Sequence, residues 1–215
     1  MANDVAKFFG GHQLPDRAKL SEAMKGLNAA KASMGGKALL RFTKVGTWVF
    51  GPDSEPLKPG TKLIANPASL SSGFIAWWLA QVEGEVMQPL SMGPVDATKL
   101  AEVNSGGINP ATKKVSGQGW QPQLSIDLIT QADVPLSMTY KVTSRGGMTT
   151  LMDLAGTIAY DMSMDEKRCY PVIELSGSSY QHSDKEIGEV QIPILSVVGW
   201  LDADGKEVKD LSSLL

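Results

Sequence analysis

Two histidines, one cysteine and 23 acidic side chains are the groups of this chain best suited to covalent, acid–base or metal chemistry. Nucleophilic catalysis needs a base held beside its nucleophile. His12 stands in MANDVAKFFGGHQLPDR, where Gly10-Gly11 interrupt the chain, a poor place to hold catalytic geometry. His182, in SYQHSDKE, has no GxSxG elbow and no Cys–His signature beside it. Cys169, in KRCYP, falls between a predicted helix and a predicted strand and reads as packed. His182 with Asp184 and Glu186 lacks the second histidine that a metal site of this type would use. Asp161, Asp165 and Glu166 read as a helix end and not as a calcium loop. Neither GxxxxGK[ST] nor a GxGxxG after a strand is present. The expectation is a non-enzyme with no catalytic residue, no metal and no cofactor.

Cations and flat rings remain. Binding to single-stranded nucleic acid needs positive side chains that follow the phosphates and aromatic faces on which bases stack. This chain interleaves the two. Arg41, Phe42, Lys44, Trp48 and Phe50 crowd one predicted hairpin, and Lys58 and Lys62 follow before Trp77-Trp78. Lys113, Lys114 and Trp120 flank a long loop, and Tyr140, Lys141 and Arg145 precede the clearest helix. The candidate contacts are Arg41, Lys44, Trp48, Phe50, Lys62, Trp77, Lys113, Lys114, Trp120, Tyr140, Lys141 and Arg145. The competing role for each ring is core packing. Adjacent Trp77 and Trp78 point to opposite faces of a strand, so one of them leaves the core. Trp200, in VVGWLD, reads as structural.

Charge fits such a surface only on one side. The net charge is −3, which argues against a protein coated in basic residues for duplex DNA. Residues 1–145 hold 15 Lys and Arg against 11 Asp and Glu, whereas residues 146–215 hold 5 against 12. A basic front and an acidic back are compatible with one polyanion-binding face; an ordinary mixed surface is the alternative.

The elements that must position these residues follow from periodicity. Asp16 caps a predicted helix to about Ser33, with Leu20, Met24 and Leu27 on one stripe, after a loose arm. ALLRFTKVGTWVFG reads as two strands around Gly46, and LKPGTKLIANP as a Pro59-Gly60 turn entering a strand. FIAWWLAQVEGEVM reads as a strand pair broken near Glu83-Gly84. Residues 91–119 are rich in Gly, Ser, Asn and Pro and read as a long mobile connection, with one helical turn near Ala97–Val103. WQPQLSIDLIT alternates as a strand, with Leu124, Ile126 and Leu128 on one side, and PLSMTYKVTS is another. Gly146-Gly147 break the chain before a helix whose Leu151, Leu154, Ile158 and Met162 face the core. PVIELSGSSYQH and VQIPILSVVGWLD are two closing strands joined around Asp184–Gly188. The predicted fold is mainly β with one or two helices: an N-terminal arm and short helix over 1–36, a small OB-like β-barrel over 37–202 and a polar, mildly acidic tail over 203–215.

The lone cysteine cannot form an internal disulfide, no apolar run reaches about 18 residues, and the N-terminus lacks an apolar signal core. These features fit a soluble protein of a host-cell cytoplasm, with no membrane partner.

KALLRFTKVGTWVFGPDSEPLKPGTKLIANPASLSSGFIAWW, followed by EVMQPL, resembles proteins of tailed bacteriophages that share a WV(Y/F)G start and an NPxS–G–IAW core. YPVIELSGSSYQH and IPILSVVGWLD resemble the closing motifs of the same family, a bacteriophage single-stranded DNA-binding family of OB-fold type. The likeness spans about residues 37–95 and 120–202. It implies sequence-nonspecific coating of single-stranded DNA in phage replication and recombination, replication or recombination proteins as partners, and room for self-association. Many such proteins end in a strongly acidic tail. Here Asp202, Asp204, Glu207 and Asp210 are offset by Lys206 and Lys209, and the chain ends in Leu-Leu, which puts tail-mediated recruitment in doubt. The rival expectation is a phage virion structural or assembly protein, for which a β-rich chain with a floppy arm is equally suited.

Overall fold

The computed structural model describes residues 37–58, 60–107, 119–132 and 135–209. The predicted arm and first helix, Lys113 and Lys114, and the last six residues of the tail lie outside the described residues. The described chain is mainly β. Its strands are β1 (Ala38–Phe42), β2 (Trp48–Phe50), β3 (Glu55–Pro56), β4 (Lys62–Trp78), β5 (Gln81–Pro89), β6 (Gln121–Thr130), β7 (Ser137–Val142), β8 (Tyr170–Gln181) and β9 (Glu189–Leu201). Its α-helix, α1, spans Arg145–Met164. Short 3-10 turns occupy Leu90–Met92 and Ala97–Lys99, the second being the helical turn predicted there.

The strands form one sheet in the order β3-β2-β1-β7-β6-β4-β8-β9, with β5 added to β4. Neighbours are antiparallel except β1 and β7, which run parallel. The sheet curls into a half-barrel, and β4 shows how. Its first residues, Lys62–Ile64, pair with β8, whereas Ser71–Trp78 pair with β5, and β6 lies along the other side of both stretches. The change of neighbour falls at a register break between Asn66 and Ser71. There the Asn66 side chain accepts from the Ala68 amide (3.1 Å), and the Ser69 hydroxyl donates to the Asn66 carbonyl (2.6 Å). Ser69 Oγ also accepts the Asp127 amide of β6 at 2.8 Å, replacing the ladder bond that the bulge removes. Asn-Pro-Ala-Ser is therefore the residue set that bends this strand.

The concave side holds the core. Leu40, Trp48, Leu63, Ile126, Leu128, Met138 and Tyr140 meet Leu151, Leu154 and Ile158 of α1 and Ile173, Leu175, Leu195 and Trp200 of β8 and β9. Each aliphatic side chain buried this way contributes about 1.5–3 kcal/mol relative to exposure. Met162, predicted for the same stripe, is instead 37 % exposed near the end of the helix and lies outside the core cluster. The Trp200 indole donates to Asp161 (3.2 Å), as its structural reading requires, and Asp161 also pairs with Arg168 at 3.6 Å.

Three turns depart from expectation. Ser144 is the N-cap of α1, its hydroxyl accepting from the Gly147 amide, so Gly146-Gly147 form the first helical turn and do not break the chain before it. A Cβ on Gly147 would stand 2.1 Å from Val142 Cγ2, and this close approach explains the glycine. The β4–β5 hairpin turns at Leu79-Ala80, both with positive φ, and not at Glu83-Gly84. Gly84 lies within β5, where the Trp120 ring would meet any Cβ at 2.6 Å. Residues 202–208 fold back on β9 through a Leu201–Glu207 bridge and a 2.8 Å bond from the Val208 amide to the Trp200 carbonyl, so this part of the predicted tail is structured.

Candidate nucleic-acid interface

The turn leaving β1, the end of β7, the N-cap of α1 and the first half of β9 enclose a groove of about 350 Å³. Arg41, Lys44 and Lys141 line it, together with Phe42, Thr43, Ser144 and Gln191. β1 and β7 are adjacent and parallel, with Leu40 opposite Tyr140, so the next residues along, Arg41 and Lys141, reach the same end of the sheet. Arg145 follows Ser144 as the first residue of α1 and is exposed. The amino-terminal end of the helix dipole adds partial positive charge to this wall.

Two of the cations are already held. Arg41 donates to the Gly51 carbonyl (3.0 Å) and to Ser54 Oγ (2.8 Å), which fixes the β2–β3 turn. Lys141 Nζ contacts both oxygens of Glu85, at 2.9 and 3.0 Å, and Gln123 donates to the same carboxylate at 2.7 Å. Partial burial pushes the Glu85 carboxyl up, but the hydrogen bonds from Lys141 and Gln123 and the lysine's charge outweigh it and hold the group below the usual carboxylate range. Lys44 stands exposed in the turn after β1.

The predicted aromatic contacts divide. Trp48 is 6 % exposed and Tyr140 is 3 % exposed, so both are core residues and not stacking platforms. Their rings meet edge to face, with centroids 5.2 Å apart. The Trp48 indole donates to the Ser176 carbonyl at 2.7 Å, and burial pushes the Tyr140 phenol far above its ordinary value. Phe50 is half-buried and packs on the core. Both misassignments have one cause: a ring in a hairpin looks the same in sequence whether it faces in or out, and here the curl of the sheet turns it in. Trp77 is 43 % exposed, at the far end of β4, as expected for one member of the Trp77-Trp78 pair. Trp120 is half-buried against Gly84, its indole donating to the Ala101 carbonyl at 2.9 Å.

Lys62 is exposed at the start of β4, beside Gln131 and Glu207 and away from the groove. Lys113 and Lys114 lie outside the described residues. Gln191 was not legible in the sequence, because only closure of the half-barrel brings β9 to β1 and β7; Thr43 and Ser144 are short neutral neighbours of Lys44 and Arg145 with no signal of their own. The described residues contain no cluster of three or more His, Cys, Asp or Glu able to hold a metal ion. None of the described helices is long and apolar enough to cross a membrane. No family model, curated protein or solved structure matches the chain.

Proposed function

We propose that this chain binds single-stranded DNA without sequence preference, with the phosphates following the Arg41–Lys44–Lys141 groove, in a small barrel of OB-like type. The supporting observation is the convergence of the Arg41 and Lys44 charges on one open groove, which Lys141 also lines with its own charge met by Glu85. Phe42 lines the same groove with its ring packed on Trp48 and Gly177, so it shapes the wall and does not serve as a stacking face. Arg145 extends the positive line along α1. Phage replication and recombination is the setting that the sequence resemblance implies, and no catalytic step is assigned. The alternative, a virion component, draws support from one feature: Trp77, Leu79 and Val82 stand exposed together around the β4–β5 turn. Anisotropy of a labelled oligo-dT, measured against a duplex of equal length across a salt series, separates the two. Tighter binding of the single strand, weakening with salt by counterion release, is the expected result. No binding at low salt, with a stable oligomer in its place, would favour the virion reading.

A further inference from the structure

We infer that the outer edge of β5 is a docking site for an extended, cationic segment of a partner protein, distinct from the Arg41–Lys44–Lys141 groove. β5 pairs with β4 alone among the described strands. The chain leaving β5 passes back along this edge, and the two enclose a cavity of about 680 Å³. That wall is fixed at both ends. Gln88 Nε2 donates to the Gly93 carbonyl at 2.7 Å at the near end. At the far end one Glu83 carboxylate accepts the Asn104 amide (2.6 Å), the Asn104 side chain (2.6 Å) and the Ser105 amide (2.9 Å). Between these anchors no backbone hydrogen bond joins the described residues of the wall to β5. The fold has thus braced a second wall beside a strand without completing the ladder, which leaves main-chain donors and acceptors facing the cavity.

The lining specifies the occupant. Val86, Val95, Leu100, Val103 and the Trp120 ring give it apolar surface that suits the alternate side chains of an added strand. Glu83, Glu85, Asp96 and Glu102 lie on this lining; Lys141 holds Glu85 and Lys99 pairs with Asp96, which leaves the charge of two carboxylates, Glu83 and Glu102, to be met. Lys or Arg at the intervening positions of a guest strand would complement that charge, whereas a phosphate chain would be repelled.

The test is selection of a random dodecapeptide library on the full chain and, in parallel, on Val86→Arg, which places a cation at an exposed position of the lining. Peptides with alternating apolar and Lys/Arg residues should be enriched on the parent and bind Val86→Arg at least tenfold more weakly. Hydrogen exchange on the parent supplies a readout independent of any variant: the alternate amides of Val82–Gln88 that face away from β4 should slow when a selected peptide binds. No enrichment over the variant, enrichment of acidic or helix-periodic peptides, or unchanged exchange along β5 would overturn the inference. Oligo-dT serves as competitor. Failure to displace the peptide is expected, and displacement would show that the two sites are one.

Discussion

Trp48 and Ser176 lie 128 residues apart, yet the indole of one donates to the carbonyl of the other at 2.7 Å. β2 and β8 are not neighbours in the sheet. A side chain therefore spans the gap between them where the half-barrel fails to close by strand pairing. Phe42 packs onto Trp48 with centroids 5.0 Å apart, and Gly177 leaves room for the Phe42 ring, which a Cβ would meet at 2.6 Å. The groove owes its fourth side, Gln191, to this closure.

Trp48→Phe keeps most of the ring and removes the donor. Ser176 is exposed and the bond is part-buried, so its loss costs about 0.5–1.5 kcal/mol. Urea unfolding should show that loss as a lower midpoint at an unchanged slope. A midpoint equal to the parent's would mean that the bond does not hold the closure.

Ser69→Ala should cost about 1–3 kcal/mol, because the Asp127 amide loses its acceptor at the bulge. Hydrogen exchange at Asp127 reports it directly. Faster exchange there, with distant β9 amides unaffected, is the expected pattern.

Gly147→Ala sets two effects against each other. Alanine favours a helix over glycine by about 1 kcal/mol. The added methyl would approach Val142 Cγ2 to 2.1 Å, and overpacking of a buried site typically costs about 1–3 kcal/mol. Crowding wins, and the melting temperature should fall. Gly156→Ala, on the exposed side of the same helix with nothing within 4 Å of the new Cβ, should raise it.

Partial desolvation pushes the Glu83 carboxyl up, but the bonds from Asn104 and Ser105 outweigh it and the group sits below its ordinary value. A carboxyl lowered in the folded state stabilises above its unfolded value, and that contribution is lost as pH falls through the folded one. The 94–105 wall should therefore stay docked from neutrality down to the ordinary carboxylate range and loosen below it. Exchange of the Asn104 and Ser105 amides, corrected for intrinsic rates, checks this. In Glu83→Gln, which keeps one accepting oxygen and cannot titrate, exchange of one of the two amides should speed up and the pH dependence should vanish.

Lys44→Glu should weaken oligo-dT binding and lower the salt slope by about 0.7–1 for each phosphate no longer neutralised, whereas Lys141→Gln, which removes a charge already met by Glu85, should have the smaller effect. Lys62→Glu, away from the groove, is the control and should leave the slope unchanged. Equal effects from all three would point to general attraction and away from the groove.

Much of this architecture was written in local pattern. Alternation in QLSIDL, the Gly46 turn, the Asp184–Gly188 turn and the 3.6-residue stripe of Leu151, Leu154 and Ile158 each report a short-range preference, and each element stands where its pattern placed it. Cation placement was half legible: Arg41 and Lys141 were visible as candidates, but their meeting depends on the parallel register of β1 with β7, whose partners are 100 residues apart. The inward turn of Trp48 and Tyr140, the use of Gly84 to seat Trp120 and the open edge of β5 were not legible. Period-2 spacing says which side chains share a face, not which face the sheet curls around. The Asn66–Ser71 bulge and the Trp48–Ser176 bond fix that curl, and they join residues that no sequence window spans.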